Sequence, residues 1–377
     1  MMLVFALAMS ALIFCRLVLP LKVKPWRKAL LALLVLAAGL KYQIIHCLGG
    51  PMFFAPDLPG WILLSAAWLY STAFLLFSGL AVMEMIRLGI KAVNWRRKPV
   101  NVPDSGRLFR KINLILLLAA SLLAGIGIIR GTADPGIREV TLSFPGLPPQ
   151  AEGIRIAVLA DLHADRVTRA PRIRRMVERT NSLRPDLTVI LGDFVDGTVA
   201  RCGGELLPLR GLQARHGVYA IPGNHEYYSG YVPWMEFFSG LGLRMLENSH
   251  VRLPVGIYLA GVTDPAAQAA NEALPDLEKA LQGIPADAFV LLLAHRPAQA
   301  ESAARSGVSL QLSGHTHGGM IRGMDWIVAR FNDGFVSGLY EVNGMKLYVS
   351  NGTGIWNGFP VRLGRESEIT LITLKSG

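Results

Sequence analysis

The stretch Gly314-His-Thr-His-Gly-Gly319 sets two imidazoles one residue apart, flanked by glycines that offer no core to hide them. On a strand, positions i and i+2 face the same side, and on a turn both rings converge on one point, so either geometry suits a metal ion. A metal needs more partners than two. Four other short motifs carry residues of the right type: Asp161 and His163 in "DLH", Asp193 and Asp196 in "GDFVD", Asn224 and His225 in "GNHE", and His295 in "LAH". Each has an ordinary reading by itself, as a helix cap, a turn or a satisfied core histidine. Their common placement is what distinguishes them.

Every one of these motifs follows a short apolar run: "IRIAVLAD" (154–161), "LTVILGD" (187–193), "GVYAIPG" (217–223), "AFVLLLAH" (288–295) and "VSLQLSGH" (308–315), with a sixth run, "GIYLAGV" (256–262), among them. Helix-like segments at 170–183, 275–283 and 298–306 separate several of the runs. This alternation is that of an α/β domain, whose ligand crevice lies at the carboxyl ends of the strands. Five loops therefore aim imidazoles and carboxylates at one place.

In that order and spacing the motifs resemble the five-motif signature of the calcineurin-like metallophosphoesterases, in the bacterial branch that closes with GHTHGG. The likeness runs from about residue 138 to the end of the chain and includes "GNHEYYSG", "LAGVTDP" and "RLGRESEITLITL". It implies a four-layer αββα sandwich holding two metal ions. Carried over by position, one ion takes Asp161, His163, His317 and a bridging Asp193, and the other takes Asp193, Asn224, His295 and His315. His225 is then the general acid or charge stabiliser, oriented by Asp196. The chemistry asks for such a set independently. Phosphoester oxygens repel a nucleophile, and two divalent ions about 3.5–4 Å apart neutralise them and align a water with phosphorus. Mixed imidazole, carboxylate and amide ligands suit Zn, Mn, Fe or Co better than Ca. Gly197 stands where the protein phosphatases of this superfamily carry a phosphate-gripping arginine, which argues against that substrate class. Arg296 is a candidate phosphate clamp, the alternative being an exposed structural arginine.

The front of the chain has a different grammar. Residues 1–130 hold four apolar stretches, about 2–20, 29–48, 61–83 and 112–129, each of the length that a membrane-spanning helix requires. The first lacks the basic start and small-residue cleavage site of a signal peptide. Arg16, Lys41, His46 and Glu84 in or beside these spans are expected to snorkel or to lie buried between helices. The sequence thus reads as a four-helix transmembrane region, 1–130, followed by a catalytic domain, 131–377, joined by a short segment at about 130–137. The net charge of +11 divides as +12 before residue 131 and −1 after it. The basic excess therefore belongs with anionic lipid headgroups, and the outer domain offers no face for nucleic acid. Segment 87–111 carries eight Lys and Arg against Asp104 alone, and 21–28 carries four more, whereas 49–60 holds only Asp57. By the positive-inside rule the basic segments are cytoplasmic and the domain after the fourth span is extracytoplasmic. Cys15 and Cys47 fall in spans and Cys202 stands alone, so no disulfide framework is implied.

The aromatic-rich "EYYSGYVPWMEFFSGLG" (226–242) reads as the packed face of a helix, the alternative being a lip touching acyl chains. The expectation that follows is a multi-pass enzyme of the bacterial inner membrane, with membrane lipids as neighbours and a phosphoester in or near the outer leaflet as substrate. Two alternatives stand beside it. One is a cytoplasm-facing pyrophosphatase of the UDP-diacylglucosamine type in lipid A synthesis. The other is a membrane scaffold with a non-catalytic esterase domain, against which the intact ligand set argues.

Overall fold

The computed structural model describes residues 2–49, 56–95 and 105–377, which divide into two compact units, Met1–Ile129 and Arg130–Gly377.

In the first unit, helix α1 (Met2–Ile13) runs into a π-helical stretch, Phe14–Val18, and is followed by α2 (Pro25–Gly39), α3 (Lys41–Gly49), α4 (Gly60–Trp95) and α5 (Ser105–Thr132). Of the four expected transmembrane helices, two are matched by single long helices. Among the described residues, two segments, Gly60–Ala92 and Leu108–Thr132, are long and apolar enough to cross a membrane. The stretch expected at 29–48 is not one straight helix, because α2 and α3 are bent by 76° at their junction, where Leu40 (φ −88°, ψ 20°) leaves the helical region. The pair is either one broken span or a re-entrant loop. Met2–Val18 is a shorter apolar helix. Counting apolar residues gives the length of a stretch but is blind to such a break. Gly39, beside it, is set tightly against α1, since a Cβ there would lie 2.4 Å from Ser10 Oγ. Met9, Ile13, Ala38, Ala73, Leu76, Leu80 and Ala120 form the core of this unit. Arg16 and Glu84 pair at 2.5 Å, and Arg87 reaches the other carboxylate oxygen at 2.7 Å. Of the basic segment, Arg87 and Lys91 ride on α4, while Arg107, Arg110 and Lys111 ride on α5. Arg96, Arg97, Lys98 and Asp104, like 50–55 of the loop after α3, lie outside the described residues.

The second unit holds two six-stranded sheets. The strands are β1 (Gly136–Phe144), β2 (Arg155–Leu159), β3 (Leu187–Ile190), β4 (Val218–Ala220), β5 (Arg244–Met245), β6 (Ser249–Arg252), β7 (Tyr258–Gly261), β8 (Val290–Leu293), β9 (Leu310–Ser313), β10 (Gly338–Val342), β11 (Met345–Val349) and β12 (Glu368–Ser376). Their orders are β1-β12-β2-β3-β4-β5 and β10-β11-β9-β8-β7-β6. All six apolar runs of the sequence are strands, and β3, β8 and β9 are buried along their whole length, as parallel central strands must be. The strands that pattern alone misses are those that complete the sheets, β1, β5, β6, β10, β11 and β12. Of these, β12 pairs in parallel with β1 and antiparallel with β2.

Helices α6 (Ala170–Ser182), α7 (Val199–Leu206), α8 (Asn224–Tyr228), α9 (Tyr231–Gly240), α10 (Ala267–Ala270), α11 (Leu277–Leu281), α12 (Ala300–Arg305) and α13 (Asp325–Ala329) complete the unit. One apolar core draws on both sheets, with Ile156, Val158, Leu187 and Tyr219 from the first and Leu259, Leu291, Leu310 and Tyr348 from the second. A second core packs the first sheet against α6, α7 and α9, and a third packs the other sheet against α11 and α12. The aromatic stretch after "GNHE" packs inward. Trp234 and Phe238 are fully buried, their rings stacked at 5.4 Å, and the indole N–H donates to Gly197 O at 3.0 Å. The lip reading of this stretch is not supported: only Tyr228 and Val232 are exposed among its large apolar side chains.

Candidate metal centre

Each of the nine residues singled out from sequence leaves the end of a strand. Asp161 and His163 follow β2, Asp193 and Asp196 follow β3, Asn224 and His225 open α8 after β4, His295 follows β8, and His315 and His317 follow β9. The loops are stitched together by their backbones. Asp161 N donates to Gly192 O and His163 N to Asp193 O, both at 3.0 Å. The Asp193 carboxylate accepts from His225 N at 2.9 Å, and Asp161 accepts from His315 N at 2.9 Å. Glycine is required where the second and third loops touch, because a Cβ on Gly223 would lie 2.3 Å from Asp193 Oδ1.

The backbone itself is under strain here. Asp161, His163, Asp193, His315 and His317 all have positive φ, between 47° and 69°. For a residue with a side chain that conformation costs on the order of 1–3 kcal/mol and persists only where the surroundings impose it. Five such residues lie around one crevice.

Three overlapping groups result, Asp161–His163–His317, His163–Asp193–His225 and Asp193–His295–His315, each with one ligand atom per residue within 4.8 Å of the others. Asn224 joins the third, with Oδ1 3.2 Å from His295 Nε2, while His295 Nε2 stands 3.2 Å from Asp193 Oδ2. The residues fit a cation. Asp161 Oδ2 and His315 Nδ1 are buried without a hydrogen-bond partner, and the Nε2 atoms of His163 and His317 face each other at 3.0 Å. Unshared lone pairs in a closed site are what ligation removes.

Charge agrees with that reading. Burial works against a proton on His295, yet the neighbouring Asp193 outweighs it and raises the imidazole to about 10. The space beside Asp193 thus attracts positive charge. For His315 and His317 burial dominates, reinforced by the positive charge of neighbouring side chains, so both rings are held well below the usual histidine range and stay neutral, as ligands must be. His225 behaves differently. Burial again lowers it, but Asp193 and Asp196 raise it to about 9, so its ring carries a proton at neutral pH.

Asp196 does more than its sequence position implies. Its Oδ1 stands 2.5 Å from His225 Nδ1 and 3.1 Å from His163 Nδ1, so one carboxylate orients two rings. Arg296 is partly committed elsewhere, with its Nε 2.8 Å from Asp264 Oδ2 and a second nitrogen 3.2 Å from Oδ1.

Sequence reasoning passed over two residues. Glu226, fully buried, accepts from the backbone N–H groups of Asp193 (3.0 Å), Phe194 (2.8 Å) and Gly223 (2.7 Å) and so ties the second motif to the third. It stood inside the quoted "GNHE" and could have been found there. Arg362, also fully buried, reaches His317 Nδ1 at 3.2 Å and the carbonyls of Asn351 and Gly354 at 2.7 and 2.9 Å. Nothing in its local pattern marks it, since these three partners lie 8 to 45 residues away.

Comparison with known proteins agrees with this geometry. The model of the calcineurin-like phosphoesterase family matches residues 154–319. The chain is 36% identical over 340 residues to a zebrafish (Danio rerio) transmembrane protein with metallophosphoesterase domain, covering 86% of this chain and 76% of the relative. A bovine (Bos taurus) protein of the same description is 30% identical over 93% of this chain and 81% of its own length. An uncharacterised metallophosphoesterase of Helicobacter pylori is 36% identical over 66% of each chain. The likeness to the vertebrate relatives extends over most of their length and the matched motifs lie at the ends of adjacent strands, so this chain belongs to the calcineurin-like phosphoesterases and is a metallophosphoesterase with apolar N-terminal helices.

Proposed function

We propose that the protein is a membrane-anchored binuclear phosphoesterase that hydrolyses the phosphate ester of a lipid or lipid-linked substrate on the extracytoplasmic side of the bacterial inner membrane. The observation that carries the reading is the overlap of three ligand clusters in one crevice, the first two sharing His163 and the last two sharing Asp193. Asp161, His163, His317 and Asp193 would hold one ion, and Asp193, Asn224, His295 and His315 the other. The donor set suits Mn, Zn, Fe or Co, and such ions supply charge neutralisation for the phosphoryl oxygens and a nucleophile at neutral pH.

The remaining work falls to the chain. His225 presents Nε2 on the ligand side, 3.9 Å from Asp193 Oδ2, while Asp196 holds Nδ1 and keeps the ring oriented and protonated. From there it delivers its proton to the leaving alkoxide oxygen. Leu191 O accepts from His295 Nδ1 at 2.6 Å, which fixes the tautomer and leaves Nε2 as ligand.

One feature supports the lipid part of the reading. Immediately after the last histidine motif, Trp326, Ile327 and Phe331 are exposed, on a segment pinned by Arg365 to Asp325 at 2.6 Å. Aromatic side chains of this kind favour the membrane interface. The side of the membrane rests on the charge of 87–111, which one span separates from the catalytic domain. A C-terminal alkaline phosphatase fusion should be active and a fluorescent protein that matures only in the cytoplasm should stay dark. Reversed reporters would exclude an outer-leaflet substrate and leave the cytoplasm-facing UDP-diacylglucosamine-type pyrophosphatase. Failure of the metal-loaded protein to cleave any phosphoester would leave the scaffold.

A further inference from the structure

A cavity of about 530 Å³ lies wholly within the helical unit, lined by α1, the π-helical stretch, α2, α4 and α5. That volume is within the roughly 300–1,000 Å³ of small-molecule sites. Its walls are almost entirely aliphatic, among them Ile13, Leu34, Leu69 and Leu117. Apart from Thr72, the polar lining residues Arg16, Arg110 and Asn113 gather at one end. Asn113 donates Nδ2–H to Arg16 O at 3.0 Å, which brings the start of α5 against the π-helical turn, and Arg110 precedes Asn113 by one turn on α5 and also lines the cavity. Among the described residues that line it, none is acidic.

The charge at this end is not cancelled. Arg16 and Arg87 both engage the single carboxylate of Glu84, at 2.5 and 2.7 Å, and Arg87 also lies over the Phe109 ring at 3.9 Å. Two guanidiniums on one carboxylate leave one positive charge over, and Arg110 adds another. Arg16 Nε is buried with no hydrogen-bond partner. Arg16 also sits in a π-helical turn, an irregularity that recurs at functional sites because it redirects a side chain from its regular position. An aliphatic slot closed at one end by excess guanidinium charge is complementary to a molecule with a hydrocarbon chain and an anionic head.

We propose that this cavity binds one anionic phospholipid, with its phosphate at Arg16 and Arg110 and one acyl chain along the aliphatic walls. Arginine suits the head because its planar fork matches phosphate oxygens. The lipid belongs to the leaflet faced by the basic segments 21–28 and 87–111, the leaflet whose surface potential is negative. The site is separate from the metal centre and does not depend on which ester that centre cleaves.

The test uses the full-length protein purified in mild detergent, incubated with dioleoyl phosphatidylglycerol or dioleoyl phosphatidylcholine and read by native mass spectrometry. One phosphatidylglycerol should be retained at least about tenfold more strongly than phosphatidylcholine, the discrimination expected of one charge-assisted contact. Arg110→Gln should remove most of that preference and Arg110→Lys should keep it within roughly threefold, since lysine preserves the charge but not the fork. Ala73→Leu, which fills the wall, should lower retention of both lipids. Unchanged helical circular dichroism and a single monodisperse size-exclusion peak in all three variants report that the helical unit is folded. Equal retention of the two lipids would mean ordinary boundary lipid and would overturn the proposal. So would a phosphatidylglycerol preference that survives both Arg110→Gln and Ala73→Leu, since the lipid would then sit elsewhere.

Discussion

Replacing Glu226 tests whether the site is held by its backbone clamp as well as by its ligands. The carboxylate is fully buried and accepts three backbone N–H bonds, two at Oε2 and one at Oε1. In Glu226→Gln the amide oxygen can keep the Oε2 pair, but the amide N–H₂ then faces the N–H of Phe194. One charge-assisted bond is lost and two donors confront each other, which costs about 2–3 kcal/mol. For a domain of this size each kcal/mol moves the unfolding midpoint by about 2–4 °C, so a drop of roughly 4–12 °C is expected. Glu226→Ala leaves three buried N–H groups unsatisfied at about 1–3 kcal/mol each and should be harsher. Because Asp193 N is one of the clamped groups, bound metal should fall with stability in both variants. Differential scanning fluorimetry and elemental analysis of the same preparations measure the two effects. A Gln variant melting within about 1 °C of the parent, with full metal content, would refute the clamp.

Other consequences follow from the same geometry. Asp193→Asn should lose bound metal and activity more severely than any other ligand change, because Asp193 is the one ligand assigned to both ions and joins two of the ligand clusters; elemental analysis against Asp161→Asn decides it. His225→Ala should retain near-normal metal content while kcat falls by roughly 10²–10⁴, and activity within a few-fold of the parent would remove His225 from the mechanism. The His225 ring is raised to about 9 and is protonated below that value, so kcat should decline as pH rises. Cations on the adjacent ligands pull the midpoint lower, placing it at or below pH 9, and this limb should be missing from the pH profile of His225→Ala. Exhaustive chelation should abolish hydrolysis of a model phosphodiester, and re-addition of Mn or Zn should restore it. Trp234→Ala, which empties a fully buried ring and its hydrogen bond to Gly197, should cost about 3–5 kcal/mol by denaturant titration.

The site was legible in the sequence because its ligands sit at strand exits, and a strand exit is a local event: an apolar run of five or six residues, then a glycine or a polar residue. Asp161, His163, Asp193, Asn224, His225, His295, His315 and His317 could be ordered along the chain from pattern alone. The double service of Asp196 could not, since His163 and His225 belong to different loops and meet only when β2, β3 and β4 pair side by side. Arg362 was invisible for the same reason.

The membrane region shows the opposite limit. Hydropathy and charge located its helical stretches, because apolar length and basic flanks are additive properties of neighbouring residues. The 76° bend after Gly39, the π-helical turn around Arg16 and the pairing of Arg16 with Glu84, 68 positions along the chain, depend on how helices pack. The aromatic stretch after "GNHE" was dense enough in sequence to suggest either a core or a lip, and packing of Trp234 and Phe238 against Phe194 decided for the core. What the chain alone determined was therefore which residues have metal-binding chemistry and which stretches are apolar enough for a membrane. Only the tertiary structure decided which residues share one crevice, because the left-handed backbone of Asp161, His163, Asp193, His315 and His317 is imposed by contacts between loops far apart in the chain and is not favoured by any of those residues locally.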